Sequence, residues 1–350
     1  MLQNQYWVGL DIGEAMTAIC VTDDAGAVVL ENACESTLRA VDAVLDRFPK
    51  DQIGLVGLES GIGSNLTRKL KNLGYPVGAF EARKASKFLA IRRNKTDPGD
   101  AAGLAQLARL GRATVSQVHT KTLETQLLQS KLSMRRLLIK LRLSLESSVR
   151  SRVRSYGAYV KFARKPVDLR QAIHDANLQI LADDGIDIAA EICPLIDLWE
   201  AVRAYLKQLD KALLLEAKAH PICKNLMSVP GVGPICALSF YSAVEDPSRF
   251  RRASEVASYL GLTPRIYQSG KAFSTRGISK MGNKMTRSSL VTAATVMLCV
   301  SKKESALRTW GLSLVERIGR RRAAVAVARK LSVVMLSMWR SGSEFRANTP

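Results

Sequence analysis

The hydrophobic pattern of this chain changes its period near residue 115, and that change limits the possible folds more than any other feature. Before it, short apolar runs typical of strands alternate with segments of helical spacing. After it, apolar residues recur at every third or fourth position over far longer stretches. Strands that alternate with helices favour an α/β domain with a partly parallel sheet. The sequence therefore predicts α/β structure first and all-α structure after it.

The first 110 residues carry the signals of several separate elements. Residues 6–34 have the pattern of a strand hairpin or meander, with a turn at 24–26. Ser36 and Thr37 then precede an amphipathic helical segment. Further strands are predicted at 53–59 and 76–82, and further helices at 65–73 and 99–110.

The middle of the chain predicts two long helices separated by a polar connection at about 157–190. The first covers residues 123–153. The second carries an apolar seam at heptad spacing, formed by Leu195, Trp199, Val202, Leu206, Leu209 and Leu213. A seam held for about three heptads is the lower limit for a coiled coil. The spacing alone allows either a hairpin within one chain or a coil between two copies.

The charge of the chain is strongly positive and unevenly distributed. The net charge is +21, and residues 251–350 contain nineteen Lys and Arg against four Asp and Glu. Clustered positive charge favours a polyanionic partner, because neutralising phosphates releases condensed counterions. We therefore expect nucleic-acid binding, with a ribosome-associated or merely basic protein as the alternative.

Other features bear on location. The longest nearly apolar run, residues 290–300, is too short for a membrane span, which needs about 20 residues. The N-terminal residues lack the basic start and apolar segment of an export signal. The six cysteines form no C-x-x-C pair, which argues against a zinc ribbon or a disulfide framework. We expect a cytoplasmic, nucleoid-associated protein with no membrane partner.

A short glycine-containing turn interrupts two helical patterns in the segment SVPGVGPICA. Such a turn between short helices suits a helix-hairpin-helix, in which backbone N–H groups meet a DNA phosphate. The backbone at Gly231 and Gly233 is therefore a candidate phosphate contact. The alternative is a tight turn without a ligand.

Four acidic residues stand out by their positions. Asp11 and Glu59 end two predicted strands, and the carboxyl ends of strands converge on a crevice in open α/β sheets. Asp97 and Asp100 are three residues apart beside a helix start, so they share one face. Carboxylates crowded together require cations, and hard oxygen ligands suit Mg²⁺ or Mn²⁺. Alternatively, Asp97 caps the helix, Asp100 interacts with its dipole, and Glu59 ends its strand.

The segments around these acids resemble a known family. VGLDIG, VGLESG and NKTDPGDAAGLA are similar to the acidic motifs of the DEDD-type transposases of insertion-sequence family 110, the bridge-RNA-guided recombinases related to the Piv invertases. SVPGVGPICA, YLGLTPRIYQSGK and GISKMGNKMTRSSLVTAA resemble the C-terminal domain of that family, in the same order. The resemblance implies a RuvC-like, RNase H-type domain at 1–115, a coiled-coil region for oligomerisation at 116–220, and a helical transposase domain at 221–350.

The resemblance also implies chemistry for particular residues. The metal-binding catalytic acids are Asp11, Glu59, Asp97 and Asp100, and Ser269 in RIYQSGK is the nucleophile that forms a covalent phosphoserine link to DNA. From chemistry alone, a serine beside a glycine is usually a turn residue, and no histidine lies near it in sequence to activate it. Basic residues suited to binding phosphates are Arg92, Arg93, Lys95, Arg265, Lys271, Arg276, Lys280, Lys284 and Arg287.

The partners that follow from the resemblance are double-stranded DNA at the element ends and at the target, a structured guide RNA, and further copies of the chain in a dimer or tetramer. Three alternatives remain at this point. A Holliday-junction resolvase or nuclease would use metal-activated water and would not need the block at 220–290. A sugar-kinase-like ATPase would need a second phosphate loop. A non-catalytic DNA-binding protein would leave the four acids as caps.

Overall fold

The computed structural model describes residues 5–61, 64–90, 96–110, 117–160, 169–269 and 272–347. The chain divides into two compact units, Met1–Thr122 and Leu123–Pro350. The division into three domains at 115 and 220 stays a prediction, and each compact unit is described below by itself.

The first unit is built on a six-stranded mixed sheet in the order β3-β2-β1-β4-β5-β6. β1 runs parallel to β4 and β4 parallel to β5, whereas the other pairs are antiparallel. The expected α/β fold with a partly parallel sheet is confirmed. The strands are β1 (Tyr6–Ile12), β2 (Met16–Thr22), β3 (Val28–Glu35), β4 (Ile53–Glu59), β5 (Val77–Phe80) and β6 (Gln117–Val118).

Helices cover both faces of this sheet. They are α1 (Leu38–Leu45), α2 (Ser64–Asn72), α3 (Ala82–Leu89) and α4 (Asp97–Leu110), with a short 3₁₀ turn at Lys50–Gln52. Side chains of α1 and α2 pack with one face of the central strands, and side chains of α3 and α4 with the other. A Cβ on Gly9 of β1 would lie 2.0 Å from the Ala101 carbonyl oxygen of α4. Only glycine allows the helix backbone to approach the strand this closely.

The second unit is mainly helical, as expected, with one two-stranded sheet. Its helices are α5 (Leu123–Ser155), α6 (Leu169–Asp184), α7 (Ala189–Ala219), α8 (Pro221–Leu226), α9 (Pro234–Val244), α10 (Glu255–Tyr259), α11 (Lys284–Cys299), α12 (Ala306–Ile318) and α13 (Arg320–Ser341), with a 3₁₀ turn at Pro247–Arg249. The predicted polar connection at 157–190 is wrong in part, because it contains α6. Leu169, Ile173 and Ile180 of α6 are buried against α5 and α7.

A β-hairpin forms the segment that contains Ser269. β7 (Pro264–Ser269) and β8 (Ala272–Ile278) pair antiparallel, with Ser269 opposite Ala272. No strand was predicted here, although these residues include the β-branched and aromatic types that favour strands, such as Ile266, Tyr267 and Phe273. Among the described residues, no helix combines the length and the apolar character that crossing a membrane requires.

The two long helices α5 and α7 pack antiparallel within the chain. Lys131 of α5 pairs with Glu216 of α7, and Glu146, further along α5, accepts a hydrogen bond from the indole of Trp199. The heptad seam faces inward, since Val202 is 5% exposed and Leu213 is fully buried. Of the two alternatives that the spacing allowed, the structure contains the hairpin within one chain.

Replacing Val202 by Lys is therefore expected to destabilise the fold rather than to separate copies of the chain. An unpaired charge buried between α5 and α7 costs several kcal/mol, on the order of 2–5. Leu198→Lys on the same helix is the matched control, because Leu198 is 53% exposed. Urea unfolding and light scattering measure the two outcomes. Dissociation of an oligomer with unchanged stability would instead assign the seam to an interface between copies.

Candidate functional site

Two of the predicted acids lie at the same edge of the first unit's sheet. β1 and β4 are parallel neighbours, with Leu10 opposite Leu58. Asp11 and Glu59 follow these residues directly, so they occupy the carboxyl ends of adjacent strands. Both side chains are half-buried. This position matches the crevice at the carboxyl ends of strands where α/β folds bind ligands.

The other two acids lie in the first turn of α4. The backbone of α4 rests on β1 at Gly9, where a Cβ would also lie 2.3 Å from the Ala105 nitrogen. The opposite end of α4 lies beside the turn that joins β2 to β3, where Arg109 donates to the Asp24 carbonyl oxygen. The helix therefore begins at the edge that carries the carboxyl end of β1. Asp97 and Asp100 are brought to the same edge as Asp11 and Glu59.

The capping role that competed with metal binding belongs to another residue. Thr96 precedes α4, and its hydroxyl oxygen accepts a hydrogen bond from the Gly99 N–H at 3.2 Å. The Thr96 carbonyl also accepts from the Asp100 N–H at 2.8 Å. Asp97 is already the first helical residue and its side chain is exposed. Helix capping thus leaves the Asp97 carboxylate available for another role.

The four carboxylates fit a hard divalent cation in the kind of donor they offer, since Mg²⁺ prefers carboxylate oxygens and keeps several waters. Within the described part of the chain, however, no three Asp, Glu, His or Cys side chains lie close enough together to hold a metal ion as they are placed. The structure brings the four residues to one edge without closing them around a common point. Arg92, Arg93 and Lys95, predicted to bind nucleic acid, lie outside the described residues.

Ser269 is the last residue of β7, next to the turn of the hairpin. Its backbone pairs with Ala272, while Gly270 and Lys271 lie outside the described residues, as does the placement of the Ser269 side chain. A strand of six residues spans roughly 20 Å. Ser269 is therefore held at the far end of the hairpin from α10 and α11.

The base of this hairpin is packed so closely that two glycines are required. Gly261 and Gly282 have φ angles of +69° and +76°. A Cβ on Gly261 would lie 2.0 Å from the Met281 carbonyl oxygen, and one on Gly282 would lie 2.0 Å from the Tyr259 carbonyl oxygen. Lys280 between them also has a positive φ of 57°. Such backbone strain is tolerated where the surrounding structure fixes it.

Two arginines that were predicted to bind phosphate donate hydrogen bonds to backbone carbonyl oxygens at the base of the hairpin. Arg287 is only 9% exposed, and its Nη1 donates to the carbonyl oxygens of Leu260 and Met281 at 2.9 and 3.0 Å. Burial also lowers the pKa of the Arg287 guanidinium. We therefore correct its assignment from phosphate contact to anchor of the hairpin. Arg265 is exposed but donates to the Ser279 carbonyl oxygen through Nε and Nη2.

Of the remaining predicted cations, Lys280 and Lys284 have exposed side chains. They lie just before α11 and at its first residue. Lys271 and the Arg276 side chain lie outside the described residues. Lys280 and Lys284 therefore give the base of the hairpin an exposed basic surface.

The turn between α8 and α9 contains the two predicted glycines in different situations. Gly231 has a φ of +85°, and a Cβ there would lie 2.4 Å from the Ala293 carbonyl oxygen of α11. Gly233 has an ordinary φ of −97°, and nothing within 4 Å would meet its Cβ. Packing within the protein explains the first glycine and leaves the second unexplained.

These two glycines should respond differently to the same substitution. Gly231→Ala is expected to destabilise the second unit by about 2 kcal/mol or more, because it combines a left-handed backbone with a steric clash. Gly233→Ala is expected to change the free energy of unfolding by less than about 0.5 kcal/mol. Chemical denaturation of the two variants checks this. Equal losses of stability would contradict the described packing of Gly231 on α11.

Sequence reasoning missed one basic side chain that the structure makes prominent. Arg136 of α5 borders an open groove beside Gly233. The sequence feature that could have indicated it is the stretch 125–145, which contains five Lys and Arg and no Asp or Glu.

Comparisons with known proteins agree in both halves of the chain. A transposase model of the DEDD type of IS110 elements matches residues 8–157. A second model, described as Transposase IS116/IS110/IS902 family, matches residues 223–309. The first match includes the three segments that carry the acids, and the second includes Ser269 and both glycines of the turn.

Individual relatives are similar over most of their length. The transposase for insertion sequence element IS1111A of Coxiella burnetii is 29% identical over 95% of this chain and 88% of the relative. A probable family 20 transposase of Pseudomonas aeruginosa is 25% identical over 95% of this chain and 96% of the relative. The similarity therefore extends through the sheet domain, the helical hairpin and the C-terminal helices.

Proposed function

The chain belongs to the IS116/IS110/IS902 family of insertion-sequence transposases, and from this premise we propose that it cuts and exchanges DNA strands through a carboxylate-bound divalent metal and a covalent phosphoserine link. The observation that carries the proposal is the position of Asp11, Glu59 and the first turn of α4 at one edge of the sheet. A transposase acts on DNA, and carboxylates at such an edge are suited to phosphoryl transfer.

The metal would be held by Asp11, Glu59, Asp97 and Asp100. When bound, Mg²⁺ or Mn²⁺ supplies positive charge that stabilises the attacking and leaving oxygens of a phosphodiester. The protein contributes the fixed part of this arrangement, since β1 and β4 place two carboxylates and α4 places two more. Gly9 keeps α4 close enough to β1 for all four to share one edge.

Ser269 would provide the nucleophile. Its Oγ loses its proton and forms a bond to the DNA phosphorus, the bond from phosphorus to one ribose oxygen breaks, and that ribose oxygen gains a proton and leaves as a hydroxyl. The phosphodiester is exchanged for a phosphoserine diester, so no bond energy is lost and the strand can be rejoined by attack of another hydroxyl. The chain contains no G-x-x-x-x-G-K-[ST] loop, which agrees with a reaction that needs no ATP.

The anchored base of the hairpin supports this role. Arg287, Gly261 and Gly282 fix the two stems of the hairpin relative to α11. A nucleophile on a rigid element is placed more accurately than one on a free loop. The hairpin is therefore suited to presenting a hydroxyl to a bound phosphodiester.

Lys280, Lys284 and Arg276 are expected to dominate the salt dependence of DNA binding. Replacing all three by Gln should reduce the slope of log affinity against log salt by roughly 2.7, since each lost duplex contact removes about 0.9. Lys207, Lys211 and Lys218 on α7, replaced together, give a control with the same change of charge. An unchanged slope in the first variant would place the binding surface elsewhere, for example on α5.

Three further parts of the proposal concern partners and location. A structured RNA that guides target choice is proposed from the resemblance, as is association with the nucleoid through DNA binding. Self-association in a dimer or tetramer needs a surface other than the Trp199–Val202 seam, which is buried in the chain. The exposed face of α5 offers one, because Leu127, Met134 and Leu141 repeat at heptad spacing and are 43–59% exposed.

The proposal is tested by strand exchange on a plasmid that carries the ends of the element, with and without Mg²⁺. The expected result is exchange that needs the metal ion and passes through a protein–DNA adduct. Metal-dependent nicking without exchange would favour the nuclease alternative, which uses activated water. Binding without any cleavage would favour a purely DNA-binding protein.

A further inference from the structure

A groove of about 600 Å³ opens in the second unit between the middle of α5, the turn before α9, and α11. We propose that it holds an unpaired nucleotide of single-stranded DNA. The inference rests on the proposed function in one respect, since strand exchange separates the two strands of a duplex. The residues that matter here are Arg136, Ile139, Gly233, Ile235, Met285 and Thr292.

The charge of the groove favours a polyanion. Within the part of the chain that the structure describes, no Asp or Glu lines the groove, whereas Arg135 and Arg136 do. Arg135 is neutralised by a salt bridge to Asp210. Arg136 is half-buried, and among the described residues it has no hydrogen-bond or ion-pair partner. Its guanidinium is therefore available for a phosphate.

The residues that line the groove favour a ligand that has an apolar part as well as a phosphate. Ile139, Ile235 and Met285 give the groove an apolar lining, whereas a phosphate alone would need only polar groups. A nucleotide has both parts, a charged phosphate and a flat base that apolar surface and guanidinium planes accommodate. The volume lies within the range of small-ligand sites, about 300–1,000 Å³. A paired base is stacked inside the duplex and would have to leave it to enter.

Gly233 supplies an open approach to the backbone. Its φ and ψ of −97° and 179° suit any residue, and a Cβ there would meet nothing within 4 Å. A side chain would fit the protein, at a position that lines the same groove as Arg136. Ile235 and Cys236, in the first turn of α9, line the same groove, and their backbone N–H groups have no acceptor within that helix. They add donors for the phosphate that Arg136 binds.

The test compares binding of a fluorescein-labelled dT₂₀ strand with binding of a dT₂₀–dA₂₀ duplex by the full-length protein, measured as anisotropy without Mg²⁺. Arg136→Gln and Gly233→Val are each expected to weaken binding of the single strand about tenfold and binding of the duplex less than about twofold. Lys211→Gln, which removes a charge from the exposed face of α7, should change neither. Thermal melting of the variants should match that of the wild type.

Unchanged binding of dT₂₀ by both variants would overturn the proposal, and so would an equal loss for strand and duplex. An rU₂₀ strand that binds more tightly than dT₂₀ and depends equally on Arg136 would overturn the assignment to DNA. The assay involves no cleavage, so a failure of the phosphoserine mechanism leaves its outcome unaffected. Conversely, adduct formation by Arg136→Gln on a nicked duplex reports on the mechanism alone.

Discussion

Asp97→Asn is expected to lower DNA cleavage at least about a hundredfold while folding and DNA binding stay close to those of the wild type. The amide keeps the size of the side chain and removes the ligand charge that a divalent metal requires. The fold should tolerate the change, because Thr96 and not Asp97 caps α4. Loss of a favourable interaction with the helix dipole costs only about 0.3–1 kcal/mol. Cleavage of a labelled element end at saturating Mg²⁺ is the measurement.

The control for this result is Asp51→Asn, which removes an exposed acid from the 3₁₀ turn at Lys50–Gln52. It should cleave as the wild type does. Asp11→Asn, at the end of β1, should be as inactive as Asp97→Asn. Normal cleavage by Asp97→Asn would contradict the assignment of the α4 acids to the metal site. It would favour a purely structural role for them.

Ser269→Ala is expected to abolish covalent attachment and to lower strand exchange by at least about a thousandfold. The variant should still bind DNA, because its hairpin keeps the same strand pairing and the same anchored base. Ser269→Cys should retain weak activity, since a thiolate is nucleophilic but poorly matched to phosphorus and hard metal ions. Exchange is measured on a plasmid, and binding by gel shift.

Ser274→Ala provides a matched control on the same hairpin. Ser274 lies on β8 opposite Tyr267, and its side chain is exposed. It should form adducts at the wild-type rate. Robust exchange by Ser269→Ala would refute covalent catalysis by this serine while leaving the carboxylate site untouched, because the two parts of the mechanism can fail independently.

Local patterns in the sequence were enough to predict most of the first unit. Alternating strands and helices indicated a partly parallel sheet, and the strand runs that end on acids at 11 and 59 belong to its parallel neighbours β1 and β4. The missed helix α6 carried a usable signal, with Leu169, Ile173, Ala176 and Ile180 at spacings of three and four. The segment was predicted to be a connection because it contains many polar residues.

The features that the sequence could not predict depend on contacts between distant residues. Arg287 resembles a phosphate-binding arginine until the chain folds and places it under the Leu260 carbonyl, 27 positions away. Gly231 and Gly233 are equivalent in sequence, and only the approach of α11 separates their roles. The heptad spacing on α7 did not identify the helix that packs against it, because a hairpin within one chain and a dimer of two chains use the same spacing.

If Ser269 attacks DNA, the covalent link between them can be trapped and identified. A suicide substrate, nicked so that the leaving strand diffuses away, should make wild-type protein accumulate an adduct that survives denaturing electrophoresis. Digestion and mass spectrometry should locate the nucleotide on the peptide that contains Ser269, with none formed by Ser269→Ala. Cleavage of the substrate without any adduct, or an adduct on another residue, would contradict the account.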